Sequence, residues 1–218
     1  HMSSMTNYTD RNTCPIFGDG AACVMMEATT EEVGLMDGVY HVDGKGLQNL
    51  QMKAGGSAKM PTHQSVDDRE HTVYQEGRQV YKHAVLDMST AVKQIAERNG
   101  LNKDNIAWVV PHQANINIEK SVAAKAGVDE DHVMINIDHM ANTSGGTLPL
   151  CLWEYEPQLK KGDKIIFTAF GAGFTWGASY MIWGYDGAAE AAKSPAEFYK
   201  EGKMTREEWY ALRSKKAE

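Results

Sequence analysis

The sequence predicts an α/β fold on a mostly parallel or mixed sheet, and three observations carry that expectation. Short apolar runs of strand length (IAWVV, VMINI, IIFTA) alternate with segments of helical periodicity between residues 106 and 183, the pattern of βαβ units. Each run ends in a turn rich in glycine, asparagine or histidine, and open α/β sheets collect their ligand groups at such strand ends. The 218 residues, 42% of them hydrophobic, suffice for one substantial core and a small appendage.

In chain order, His1-Met2 reads as the scar of a cleaved expression tag, and SSMTNYTDRNTC after it has no folding signal. Residues 1–13 are therefore set apart from a domain over 14–185. The run PIFGDGAACVMME (15–27) places glycine and aspartate ahead of apolar residues and predicts a turn into a buried strand. VGLMDGVYHVDG gives a second strand, and the Gly- and Ser-rich stretch from Gly44 to Arg69 a long surface excursion. A helix is expected over Gln75–Asn99, because Val80, Ala84, Met88, Val92, Ile95 and Ala96 recur at helical intervals and Gly100 can end it. Strands follow at 106–110, 133–137, 165–169 and 175–183. Helices are expected at 115–126, stopped by Gly127, and at 148–159. Beyond Tyr185, capping boxes at Ser194-Pro195 with Glu197 and at Thr205 with Glu208 predict a helical tail over 186–218 without a catalytic role.

Composition narrows the function. A formal charge of -7 argues against a nucleic-acid footprint, which needs a basic patch. No run approaches the roughly 18 apolar residues of a membrane span. Three cysteines without a CxxC pair point to a reducing cytoplasm rather than a disulfide scaffold. None of the eight histidines sits in an HExxH or Cys/His cluster, so no metal is expected. GAGFTWG lacks GxGxxG spacing and leads into a strand, so no dinucleotide or other cofactor is expected either.

Three strand-end segments can carry chemistry. VVPHQAN offers His112 after Pro111, whose ring fixes the backbone, with Gln113 and Asn115 at the next helix start. HMANTSGGT offers Asn142, followed by Thr143 and Ser144 as helix caps. AFGAGFTWG has glycines that let backbone approach a substrate. A strand-end histidine alone is more often structural than catalytic, and an asparagine alone is usually a turn residue. Together they supply hydrogen-bond donors able to converge on one developing oxyanion.

FGDGAACV, VVPHQANINI, NTSGGTLPL and FGAGFTWGA, in this order and spacing, are similar to the signatures of β-ketoacyl-[acyl-carrier-protein] synthase III in the thiolase superfamily, a resemblance running from Asn12 to Tyr185. It implies the C-terminal half of a five-layer αβαβα fold, a cytoplasmic homodimer, and a transferase of fatty-acid biosynthesis. That enzyme joins an acyl-CoA primer to malonyl-acyl carrier protein with loss of CO₂. By position His112 and Asn142 match the catalytic pair, a neutral imidazole N–H and a carboxamide N–H that would stabilise the enolate left by decarboxylation. The resemblance places the backbone N–H of Ala172 in a second oxyanion hole, Phe170 on the site wall, and Gln113, Ala114, Asn115, Ile116 and Asn117 in the carrier-protein contact. Asn117 stands where the family often has an arginine, and Ala141 where a glycine commonly precedes the asparagine.

The family's nucleophile is a cysteine in an AACSG-like setting, and no such segment occurs here. Cys14, Cys23 and Cys151 lie in apolar or strand-flanking contexts and read as structural. The expectation is part of a longer synthase that is inactive alone; a second hypothesis is partial activity, slow decarboxylation of malonyl-carrier protein by His112 and Asn142 without condensation. Alternatives are one subunit of a two-chain synthase and a non-catalytic thiolase-like module that binds a carrier protein. Half of a two-part fold leaves an apolar face uncovered, which predicts a homo-oligomer.

Overall fold

The computed structural model describes residues 1–187, so nearly all of the expected helical tail lies outside the described residues. One four-stranded sheet organises the fold, from β1 (Gly34–Val42), β4 (Trp108–Pro111), β5 (Lys164–Gly171) and β6 (Thr175–Ile182) in the order β1-β6-β5-β4. β4 and β5 run parallel, whereas β6 is antiparallel to both β5 and β1. The sheet is thus mixed, and more antiparallel than the alternating pattern suggested. The short GAG turn folds β6 straight back on β5, which only an antiparallel pair allows. A separate two-stranded ribbon joins β2 (Leu50–Met52), inside the predicted surface excursion, to β3 (Val73–Gln75), beyond its end; the excursion also carries the single-turn helix α1 (His63–Asp67).

Both faces of β4 and β5 are covered, which is why these strands are continuous apolar runs rather than alternating ones. On one face lies α2 (Gly77–Arg98), whose Ala84, Val85, Met88, Ala91, Val92 and Ile95 repeat at three- and four-residue spacing and are all buried. Val109 and Ile166 join that core with Val39 and Ala178. Their chain neighbours Val110 and Ile165 point the other way and pack with Met134, Cys151 and Leu159 under α5 (Thr147–Tyr155). The predicted helix at 148–159 thus ends at Tyr155 and continues as a 3₁₀ turn over Glu156–Gln158. α3 (Ile116–Ala126) is capped by Asn115, whose side chain accepts from Asn117 N, and stops at Gly127, where φ is +77°.

Two predicted strands are absent. Within 15–27, Phe17 alone makes a single bridge, to Asn142, and residues 20–32 are exposed, with Val24 at 62%, Met25 at 96% and Met26 at 70%. A strand must pair its N–H and C=O groups, and no described strand lies beside this run. Cys23, read as structural, is exposed with it. VMINI likewise makes one bridge, Val133 to Val109, with Met134 N donating to Val109 O at 3.0 Å. The ladder stops because the Gln113 carboxamide takes the next places. Its Nε2 donates to Met134 O at 3.2 Å, its Oε1 accepts from Asn136 N at 2.8 Å, and α4 (Ile137–Met140) starts there instead. Residues 1–13 contain a 3₁₀ turn, Met2–Met5, and bury Met2, Thr6 and Thr13.

Candidate active site

His112 follows β4, and its N–H donates to Thr168 O on β5 at 2.8 Å, so the parallel pairing carries the imidazole to the carboxyl end of the sheet. Nδ1 lies 2.6 Å from Thr147 Oγ1, and that hydroxyl lies 2.8 Å from Ser144 O. Burial pulls the His112 pKa down to about 4, because water is withdrawn from the charged form, and the ring is neutral near pH 7.

Asn142 is held by its backbone and its side chain together. Its N–H donates to Ile16 O at 2.9 Å and its carbonyl accepts from Gly18 N at 3.0 Å, so the FGDG segment fixes the loop that carries it. A Cβ on Gly18 would come within 2.9 Å of Ala141 Cβ and 3.3 Å of Met140 O, so glycine is required for this approach. The Asn142 Oδ1 accepts from Ser144 N at 2.9 Å, which orients the carboxamide and leaves its N–H groups for other acceptors. Behind the loop, His139 Nε2 is 2.8 Å from Glu154 Oε1, and Asn136 Nδ2 donates to Glu154 Oε2 at 3.0 Å. Ala141 holds φ +60° and ψ −177°, a backbone region that glycine occupies far more readily.

The third wall is the turn between β5 and β6. Phe170 packs against Phe174 with ring centroids 4.8 Å apart, and Phe174 exchanges backbone hydrogen bonds with Asp43 at the end of β1. His112, Asn142, Phe170 and Ala172 thereby line one cleft of about 940 Å³, walled also by Leu148, Phe167 and Trp176. Its lining is mainly apolar with a few convergent polar groups, the usual make-up of a small-molecule site.

The expected carrier-protein strip divides. Ile116 and Asn117 are exposed at the start of α3, Ala114 and Asn115 are half-buried on the cleft, and Gln113 is 0% exposed. Gln113 therefore offers nothing to a partner's surface. Its amide ties the histidine loop to the asparagine loop by donating to Pro111 O at 2.8 Å and bridging Met134 and Asn136. Sequence reasoning passed over two further residues. Thr147, five positions after Asn142, touches the imidazole. Glu119 is fully buried at i+4 from Asn115, one residue beyond the capping-box position, so the cap motif did not mark it. Its Oε1 accepts from Asn115 N at 3.1 Å, Oε2 has no partner, and burial raises its pKa to about 7. Among the described residues no cluster of three or more His, Cys, Asp or Glu side chains could hold a metal, and no helix is long and apolar enough to cross a membrane.

A mixed sheet whose central strands are packed on both faces, with histidine, asparagine and a glycine-rich turn meeting at one cleft, defines a thiolase-like condensing-enzyme fold. The sequence matches the family described as 3-oxoacyl-[acyl-carrier-protein] synthase III over residues 1–44 and the C-terminal part of that family over residues 96–183. A β-ketoacyl-[acyl-carrier-protein] synthase III of Phocaeicola vulgatus is 63% identical over 187 residues, 86% of this chain and 56% of that protein. One from Bacteroides thetaiotaomicron is 60% identical over 190 residues, 87% and 57% of the two chains. Among solved structures, the Pseudomonas aeruginosa synthase III superposes with a TM-score of 0.76 at 30% identity, covering 84% of this chain and 56% of that one. The Aquifex aeolicus synthase III gives 0.73 at 28% identity, covering 84% and 55%. This chain belongs to the β-ketoacyl-[acyl-carrier-protein] synthase III family. It spans about 56% of the length of these curated relatives.

Proposed function

We propose that the chain supplies the decarboxylation side of a β-ketoacyl-[acyl-carrier-protein] synthase III. That enzyme condenses an acyl-CoA primer with malonyl-acyl carrier protein and so starts fatty-acid synthesis. The observation that carries this reading is the convergence of His112 and Asn142 on one cleft, with the Asn142 carboxamide turned by Ser144 so that its N–H groups are unspent. Loss of CO₂ from a malonyl thioester leaves an enolate, and a preoriented amide N–H beside the neutral His112 ring lowers its energy without adding a net charge. Ala172, in the turn after Phe170, offers a backbone N–H for the second oxyanion, formed when the carbanion attacks an acyl thioester. The exposed start of α3, with Ile116 and Asn117, is the side from which a carrier protein would approach.

Condensation needs a thiol to hold the primer, and the cysteines here do not fit that task. Cys151 is buried in the core under α5, where burial raises its thiol pKa well above the ordinary value. Neither Cys14 nor Cys23 lines the cleft. The reading therefore assigns this sequence decarboxylation without condensation, in a cytoplasmic protein that associates through its exposed apolar surface. Incubating the chain with malonyl-acyl carrier protein and measuring CO₂ tests it. Release above that of an Asn142→Ala variant is expected, and equal release by the two would refute the assignment.

A further inference from the structure

The contact between His112 and Thr147 fixes a proton that the family signature leaves open. Thr147 Oγ1 stands between two short contacts, 2.6 Å to His112 Nδ1 and 2.8 Å to Ser144 O, and Thr147 is 2% exposed. A hydroxyl has one proton to donate, and a carbonyl oxygen has none. Were the hydroxyl turned toward Nδ1, Oγ1 and Ser144 O would face each other at 2.8 Å, lone pair against lone pair. Only one arrangement puts a proton in both contacts: the ring donates from Nδ1 to Oγ1, and Oγ1 donates to Ser144 O.

We infer that Thr147 is a positioning residue that holds His112 as the neutral Nδ1–H tautomer, so that Nε2 meets the cleft as a proton acceptor. The depressed pKa of the ring agrees with a neutral imidazole, for which the tautomer is the only remaining choice. This reverses the role the motif suggested for the ring. An acceptor at Nε2 can take a proton from a thiol or water brought into the cleft, and becomes an N–H donor to an enolate oxygen only after doing so. Asn142 is then the standing donor of the pair. That mechanistic meaning rests on the proposed reaction, whereas the tautomer itself does not.

Long-range ¹H–¹⁵N correlation spectra of the chain carrying ¹⁵N-histidine at pH 7 decide the matter without an activity assay. The His112 resonances are identified by their loss in His112→Gln. The expected pattern is a pyrrole-type Nδ1 and a pyridine-type Nε2. Thr147→Val removes the acceptor, and a hydrogen bond of ordinary net strength shifts the tautomer ratio by about tenfold toward Nε2–H. Thr147→Ser restores the original pattern. A pyridine-type Nδ1 in the unmodified chain overturns the inference even if the valine variant fails to fold, and so does an unchanged pattern in a folded Thr147→Val.

Discussion

Replacing Glu119 with glutamine probes a buried acid on the helix that follows His112. Burial raises the Glu119 pKa from an ordinary 4.5 to about 7. The folded chain therefore keeps a proton that the unfolded chain releases above pH 4.5. The stability this gives is fully present below pH 4.5 and is lost as pH rises through 7. At about 1.36 kcal/mol per pH unit, the loss across that window is about 3 kcal/mol. His112 works in the opposite sense. Its pKa falls from 6.5 to about 4, so the stability it contributes is present above pH 6.5 and is lost as pH falls toward 4. The two slopes oppose each other between pH 4.5 and 6.5. Glutamine cannot ionise, and its amide oxygen can still accept from Asn115 N. Glu119→Gln should match the parent chain near pH 4 and exceed it by about 3 kcal/mol at pH 8. With the opposing slope removed, its own stability should climb by a similar amount from pH 4 to 6.5. Urea unfolding followed by tryptophan fluorescence at pH 4 to 8 measures this as a pH-dependent gap in midpoint at constant m-value. A gap that does not change with pH, or a variant less stable than the parent at pH 8, would refute the account.

Two further substitutions test the loops that bring the site together. Ala141→Gly relieves a backbone at φ +60° and ψ −177°. Such a conformation costs a non-glycine residue about 1–3 kcal/mol, and glycine gives back about 0.5–1 kcal/mol through the unfolded chain. A net gain of about 1 kcal/mol is expected, seen as a rise in Tm of about 3 °C; a fall in Tm would contradict it. Gln113→Ala leaves Asn136 N–H buried without its partner and strips donors from Pro111 O and Met134 O. A loss of about 3 kcal/mol in urea unfolding is expected, together with reduced CO₂ release from malonyl-acyl carrier protein, because the amide joins the two loops that carry His112 and Asn142. Unchanged stability would mean that other groups hold those loops.

Much of this was legible along the chain. α2 announced itself because its buried positions repeat at the helical period, and α3 because asparagine and glycine sit at its two ends. β4 and β5 were legible as unbroken apolar runs. His112 follows the β4 run directly and Asn142 lies five residues beyond VMINI, and the cleft brings the two together with Phe170 and Ala172. The strands expected at 15–27 and 133–137 failed for a shared reason. An apolar run supplies the propensity to be a strand, but pairing requires a neighbour, and the sequence does not say which neighbour is present. For VMINI the neighbour turned out to be a glutamine side chain.

Local order along the sequence therefore determined which segments are helices, which residue types end them, and which family the four motifs match. The periodicities of helix and strand and the conformational limits of proline and glycine act over a few residues and can be read there. The tertiary structure alone decided that the sheet is mixed, that Gln113 serves the interior rather than a partner, and that Thr147 meets the His112 ring. Each of those depends on polar groups distant in sequence that meet where water is excluded. In that setting every donor must find an acceptor, and the fold determines which one.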